Sequence, residues 1–342
     1  MIGVGVVGLG YWGPNLLRNF VESEGAELRA VCDLRQDRVR LAASRYAGLA
    51  TTSDVGELLR NPAVDAVAIA TPVSTHFEIA LAALQAGKHV LVEKPLAASS
   101  GQGRRLVDEA ERRGLVLMVD HTFVYTSAVR KIASLISSGD MGDLYYYDSV
   151  RVNLGLFQRD VNVIWDLAVH DLSIMDHVIG QRPAAISATG ISHVPGGHEN
   201  IAYLTLFFEH RLIAHIHVNW LAPVKVRRTL IGGSQRMIVY DDLDLGEKIK
   251  VYDKGITVRT DPESVYLMQV GYRAGDMSAP RLDPSEALQV EVAHFIDCID
   301  HGTRPITDGE SSLRIVKLVE AASASMAARG RLIELDAQAG AL

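Results

Sequence analysis

Ile2-Gly-Val-Gly-Val-Val-Gly8-Leu-Gly10-Tyr-Trp-Gly13 decides how the chain reads. Ile2–Val7 is a continuous apolar run, the pattern of a strand buried on both faces. Gly8 to Gly13 fits G-x-G-x-x-G. From about Trp12 to Glu22 the spacing turns helical, and Pro14 falls in the first turn, where a missing N–H costs little. A glycine loop between a buried strand and a helix is the setting in which this pattern holds a dinucleotide. Gly8 permits the tight turn, Gly10 lets backbone approach a pyrophosphate, and Gly13 allows close helix–strand packing. Tyr11 and Trp12, the loop's own side chains, and Leu34 beyond the second strand are placed with the cofactor residues. The helix N-terminus offers N–H groups to phosphates. Asp33, followed by Leu34, ends the second strand, Leu28–Cys32. It lies 20 residues beyond Gly13, where an acid bonds the adenosine ribose hydroxyls. Asp33 would repel a 2′-phosphate, so NAD is favoured over NADP; Arg35 weakens that preference.

Outward from this loop, strands at Ala66–Ala70, His89–Glu93 and Val116–Val119 alternate with helices. The helices are Gln36–Tyr46, a short one capped by Ser53 or Asp54, Ser74–Ala86 and Gly101–Arg113. The alternation predicts a doubly wound parallel sheet, a Rossmann domain, over residues 1–120. After Asp120 the pattern changes to α+β, giving a second domain over 121–342. Helices at Ala128–Ser137 and Trp165–Ile179 flank a strand at Leu144–Asn153. Strands follow at Ala184–Thr189, Ile201–Glu209, Leu212–Trp220, Val226–Ile231, Met237–Tyr240, Lys248–Tyr252 and Gly255–Arg259. Short turns between them predict an open, mostly antiparallel sheet. Pro284–His301 and Ser311–Ala328 return to helical periodicity.

The length, 342 residues, suits two domains. Hydrophobic residues at 48% and charged residues at 22% describe a globular chain, neither disordered nor collagen-like. No apolar run reaches the roughly 18 residues of a membrane span. A net charge of −7 gives no general attraction to nucleic acid or acidic membranes. Cys32 and Cys298 are too few for a disulfide scaffold or a four-cysteine zinc site. The amino terminus lacks the basic flank of a signal peptide. Together these point to the cytoplasm.

Two further motifs carry chemistry. Glu93-Lys94-Pro95 ends a strand, and ligands of such sheets lie beyond the carboxyl ends of strands. An ammonium there can bond a substrate hydroxyl and stabilise the oxygen as it loses its proton. Asp166 and His170, four residues apart on a helix, share a face. A carboxylate one turn away can orient the imidazole for proton transfer. A metal would need more ligands than this pair supplies, and no metal is expected. The segment before that helix holds Asn153, Phe157, Arg159 and Asn162, candidates to line a substrate pocket. Arg273 is a candidate for a diphosphate. Loop chemistry and a surface arginine are the alternatives.

In order and spacing these motifs resemble the Gfo/Idh/MocA oxidoreductases over nearly the whole chain. The resemblance rests on the glycine loop, Ala70-Thr71-Pro72-x-x-Thr75-His76, Glu93-Lys94-Pro95 and Asp166-x-x-x-His170. Ile231-Gly232-Gly233-Ser234 and Glu291-x-x-His294-Phe295 complete it. It implies hydride transfer between NAD and a sugar or cyclitol hydroxyl, with Lys94 and His170 catalytic and Asp166 the partner of His170. It implies that Thr71, Pro72, Thr75, His76, Glu93 and Lys94 line the cofactor, and that the second domain's sheet builds a homodimer or homotetramer. Asp120-His121 departs from the Gly/Ala-Asn pair of many members; His121 is placed with the cofactor residues. Gly10-Tyr-Trp-Gly-Pro-Asn15, Trp165-Asp-Leu-Ala-Val-His-Asp171 and Tyr272-Arg-x-Gly-Asp276 resemble the nucleotide-sugar branch. That branch comprises the UDP-N-acetylglucosamine and UDP-N-acetylglucosaminuronate 3-dehydrogenases and related ketoreductases, and implies a substrate contacted by Lys94, Asn153, Asn162, Asp166, His170 and Arg273. A cyclitol dehydrogenase, a keto-sugar reductase and a non-catalytic NAD-binding sensor are the alternatives.

Overall fold

The computed structural model describes residues 1–155, 157, 161–258 and 270–335, which divide into two compact units. The first comprises Met1–Thr126 and Ser285–Lys317, the second Ser127–Pro284 and the chain from Leu318 onward.

The first unit alternates strand and helix as the periodicity predicts. Its elements are β1 (Ile2–Val7), α1 (Gly13–Glu22), β2 (Ala26–Cys32), α2 (Gln36–Arg45), β3 (Ala50–Thr52) and α3 (Val55–Arg60). After them come β4 (Ala66–Ile69), α4 (Val73–Gln85), β5 (His89–Glu93), α5 (Ser100–Arg113) and β6 (Leu117–Asp120). The six strands are parallel, in the order β3-β2-β1-β4-β5-β6. Val4, Val6, Val67 and Val92 are wholly buried, as a sheet covered on both faces requires. Of the two caps the sequence offered for α3, Asp54 is the one used, its Oδ1 accepting from Gly56 N–H at 2.8 Å; Ser99 Oγ caps α5, accepting from Gln102 N–H at 3.3 Å. β3 escapes the sequence pattern because it has three residues, none buried, on the sheet edge.

Parallel pairing puts the carboxyl ends of all six strands on one edge. The strand order reverses about β1, the switch point where such sheets bind ligands. Asp33, the glycine loop, Thr71, Lys94 and His121 therefore follow β2, β1, β4, β5 and β6 in a row, about 4.8 Å per step.

The second unit holds α6 (Ser127–Ser137), β7 (Leu144–Leu154), a π-helical turn (Ile164–Ala168) that runs into α7 (Val169–Ile179), and β8 (Pro183–Ile191). Then come β9 (Ile201–Phe208), β10 (Ile213–Asn219), β11 (Leu221–Gly233), β12 (Met237–Asp241), β13 (Ile249–Val258), β14 (Val270–Ser278) and, at the end, β15 (Ile333–Glu334). The sheet order is β14-β13-β12-β11-β7-β10-β9-β8-β15, antiparallel except for β7 with β10. Alternation sets its faces: Ala202, Leu204, Leu206 and Phe208 of β9 are buried while Tyr203 and Phe207 are exposed. β13 is one strand where the sequence suggested two segments, and Arg259 lies outside the described residues. β14 carries Gly271 and Gly275, which blur the strand signal.

One boundary is corrected. The expected domain of 121–342 is not continuous, because α8 (Ala287–His301) and the start of α9 (Gly309–Ala327) belong to the first unit. Leu288, Val292, Phe295 and Ile296 of α8 are buried in one cluster with Leu16, Leu17 and Phe20 of α1. Phe295 meets Phe20 edge-on, ring centroids 6.4 Å apart. Each such side chain contributes about 1.5–3 kcal/mol on burial, so α8 completes this core.

Candidate active site

The glycine loop is a cradle that larger residues would fill. Gly8 has φ +93°, and a Cβ there would stand 2.6 Å from the Ala70 carbonyl oxygen. A Cβ at Gly13 would overlap the Gly8 carbonyl oxygen. Gly10 faces open space, its nearest neighbour an Arg38 guanidinium nitrogen at 3.7 Å from a Cβ position. α1 begins at Gly13, so its first N–H groups face an anion placed against the loop. These features fit a pyrophosphate.

Asp33 braces the loop. Its Oδ2 accepts from Leu9 N–H at 2.6 Å and its Oδ1 from Arg35 N–H at 2.8 Å. Arg38 is the cation at its side, at 3.5 Å, while the Arg35 side chain pairs with Asp37 at 2.7 Å. The arginine nearest the acid is thus not the one the sequence suggested. Tyr11 and Leu34 are 94% and 87% exposed. Trp12 turns inward, its indole N–H donating to Asp120 Oδ2 at 2.5 Å.

On the next strand end, the Thr75 hydroxyl lies 2.8 Å from both the Thr71 hydroxyl and the Pro72 carbonyl oxygen. His76 sits beneath this turn. Its ring nitrogens lie 2.9 Å from the Thr71 and Pro95 carbonyl oxygens, so it braces two loops. Burial lowers its pKa against the pull of those carbonyls. The Lys94-Pro95 peptide is cis.

Glu93 and Asp120 pair across β5 and β6, so Lys94 and His121 emerge side by side. Lys94 is half-buried. His121 is 3% exposed, and neither of its ring nitrogens has a hydrogen-bond partner among the described residues. Burial, then the neighbouring Lys94 charge, pushes it down to about 3. The ring is therefore neutral at pH 7 and offers one donor and one acceptor. Among the described residues no His, Cys, Asp and Glu group is suited to a metal ion.

In the second unit, Asp166 lies in the π turn and His170 just beyond it, both half-buried. Such turns recur at functional sites. The Trp220 indole N–H donates to Asp166 Oδ2 at 3.0 Å. Phe157 packs on Trp220 with centroids 5.5 Å apart, and Gly155 N–H donates to the Trp220 carbonyl oxygen at 3.1 Å. Asn162 caps the helix: its Oδ1 accepts from Ile164 and Trp165 N–H at 3.1 and 3.3 Å, and its amide donates to Glu199. Its side chain holds the π turn in place. Asp171 anchors α7 to the sheet, accepting from Arg151 Nε at 2.7 Å and Ser149 Oγ at 2.6 Å.

Arg273, the candidate for a diphosphate, lies on β14. It pairs with Asp253 and donates to the Gln235 carbonyl. The π turn packs on β10, whereas β14 stands five strand spacings away, about 24 Å. Arg159 lies outside the described residues. Sequence reading passed over Asp120, Glu291, the Arg151–Asp171 pair and Trp220 as parts of a site. Glu291 carried a signal, an acid on the same helical face as Leu288, Val292 and Phe295.

The model of an oxidoreductase family with an NAD-binding Rossmann fold matches residues 2–121, and that of the GFO/IDH/MocA C-terminal domain matches residues 129–239. The chain is 25% identical to D-apiose dehydrogenase of Paraburkholderia graminis, over 96% of this chain and 88% of the relative. It is 24% identical to myo-inositol 2-dehydrogenase of Thermotoga maritima, over 94% and 96%. It is 28% identical to UDP-N-acetylglucosamine 3-dehydrogenase of Acidithiobacillus ferrooxidans, over 91% and 93%. A solved structure of that name and organism superposes with a TM-score of 0.78 at 25% identity, covering 96% of this chain and 99% of the other.

Proposed function

The chain belongs to the Gfo/Idh/MocA family of NAD-binding oxidoreductases, and from that premise we propose that it transfers hydride at the C3 hydroxyl of a nucleotide-activated sugar. The observation that carries the reading is the row along the carboxyl edge of the first sheet. An acid, a glycine cradle, a lysine and a buried neutral histidine stand in that order. Asp33 takes the adenosine ribose and disfavours a 2′-phosphate; the loop and α1 hold the pyrophosphate; Thr71, Pro72 and His121 border the nicotinamide.

The bound nicotinamide supplies a hydride acceptor, or a donor in the reverse direction. His170 takes the hydroxyl proton as the carbinol is oxidised. Lys94 donates to the same oxygen and stabilises its developing negative charge. Asp166, steadied by Trp220, keeps the imidazole in its useful tautomer. Asn153 and Phe157 border the sugar. The sheet of the second unit joins copies of a cytoplasmic homo-oligomer.

The similarity to UDP-N-acetylglucosamine 3-dehydrogenase favours a nucleotide sugar, and that to myo-inositol 2-dehydrogenase keeps a cyclitol as the second reading. NADH absorbance with a panel of UDP-sugars, dTDP-keto sugars and cyclitols tests both. Turnover confined to cyclitols overturns the first. Clear NAD binding with no turnover on any of them points to a sensor.

A further inference from the structure

We propose that Glu291 is a positioning residue whose carboxyl shares one proton with Asp120, and that this pair fixes Trp12 and the glycine loop. The proposal rests on reading that loop as the cofactor cradle. Glu291 lies on α8, wholly buried. Asp120, 2% exposed, ends β6. Its Oδ2 accepts the Trp12 indole N–H and its Oδ1 the Thr122 hydroxyl. Glu291 is in reach of Asp120 and of the Thr122 hydroxyl, but that hydroxyl donates to Asp120, and neither Glu291 oxygen has a well-formed hydrogen bond among the described residues. Two ionised carboxylates have only acceptors to offer each other. One proton on Glu291 turns the contact into a donated bond and removes a buried charge that would be costly.

Other groups around the pair favour the same state. Burial, then the Asp120 carboxylate, holds Glu291 well above the usual carboxyl range, and Glu93 adds to the effect from β5. Tyr125 faces it from the turn after β6, and burial keeps that phenol protonated. On the β5–β6 edge, Lys94 is the nearby cation and His121 stays neutral. The chain Glu291–Asp120–Trp12 thus runs from α8, late in the sequence, to the first loop. Losing the proton sets two negative charges against each other beneath that loop.

Infrared spectra and tryptophan emission of the cofactor-free protein, with calorimetric NAD binding from pH 6 to 9, test this. The wild type should show a protonated-carboxyl band at neutral pH that Glu291→Gln removes. Trp12 emission, assigned by difference from Trp12→Phe, should titrate on the alkaline side in wild type and stay flat in Glu291→Gln. NAD affinity should fall at the alkaline end in wild type. Glu291→Gln, whose amide donates at every pH, should hold it within about twofold, and Glu291→Leu should weaken it about tenfold throughout. Absence of the band, or equal loss in Gln and Leu variants, overturns the proposal. Should Glu291→Leu not fold, the band and the two pH profiles still decide. Failure of every form to bind NAD would sink the functional reading, while band and emission would still judge the shared proton.

Discussion

At the carboxyl ends of β5 and β6, His121 is buried with no partner on either ring nitrogen among the described residues. On β7, the equally buried Arg151 has Asp171 at 2.7 Å, itself held by Ser149. A buried polar group left unpaired costs about 1–3 kcal/mol. Under the proposed function, His121 beside Lys94 would use that capacity on the bound cofactor or substrate. The second unit uses its buried charges instead to fix one helix, the one that presents Asp166 and His170. The difference lies in pairing: His121 has no partner on either ring nitrogen among the described residues, while Arg151 and Asp171 pair with each other.

The largest effect should come from the residues proposed to carry the proton and the charge. Lys94→Ala and His170→Ala should each lower kcat about 10²–10⁴-fold, with NAD affinity and melting temperature near wild type. Steady-state kinetics beside calorimetry reads this, and near-normal turnover in both variants would remove the assigned roles. Asp171→Ala should cost about 3–5 kcal/mol of stability, since it strands a buried guanidinium. Urea unfolding measures it, and a loss under 1 kcal/mol would mean the pair is not the anchor described here.

His121 gives the next largest effect. Its folded pKa, near 3, lies below the unfolded value of about 6.5. Below pH 6.5 the unfolded chain binds a proton that the folded chain refuses. Stability is full above that pH and falls as pH drops toward 3, by at most about 1.4 kcal/mol per unit from this group. His121→Asn should flatten part of that acid limb in melts between pH 7 and 4; an unchanged slope would show the ring to be accessible to protons. Smallest of all, Arg273→Ala should change stability by no more than about 1 kcal/mol and leave kcat/KM within twofold, because Arg273 lies on the edge strand β14 and its partner Asp253 on β13 is half-exposed.

Local features of the fold were legible because they repeat over a few residues. The apolar runs of β1, β4 and β5, the glycine loop and the cap at Asp54 each announce themselves within a dozen positions. The π turn was not legible, since Trp165–Ile179 has ordinary helical spacing and only packing against β10 and Trp220 sets the extra winding apart. Asn162 looked like a polar pocket residue; the structure shows its Oδ1 accepting from Ile164 and Trp165 N–H, the cap that an asparagine just ahead of a helix can also provide. Arg273 looked like a phosphate ligand because sequence shows a guanidinium but not the Asp253 that pairs with it from the neighbouring strand.

By itself the sequence determined a parallel nucleotide-binding sheet, the residues at its carboxyl edge and the family to which the chain is similar. Strand period, glycine spacing and the order of short motifs are written along the chain. Tertiary structure alone decided that α8 returns to the first core, that Trp12 bonds Asp120 across 108 positions, and that Arg151 meets Asp171. Buried polar groups choose partners by distance in space and by the exclusion of water, and neither quantity has a period in the sequence.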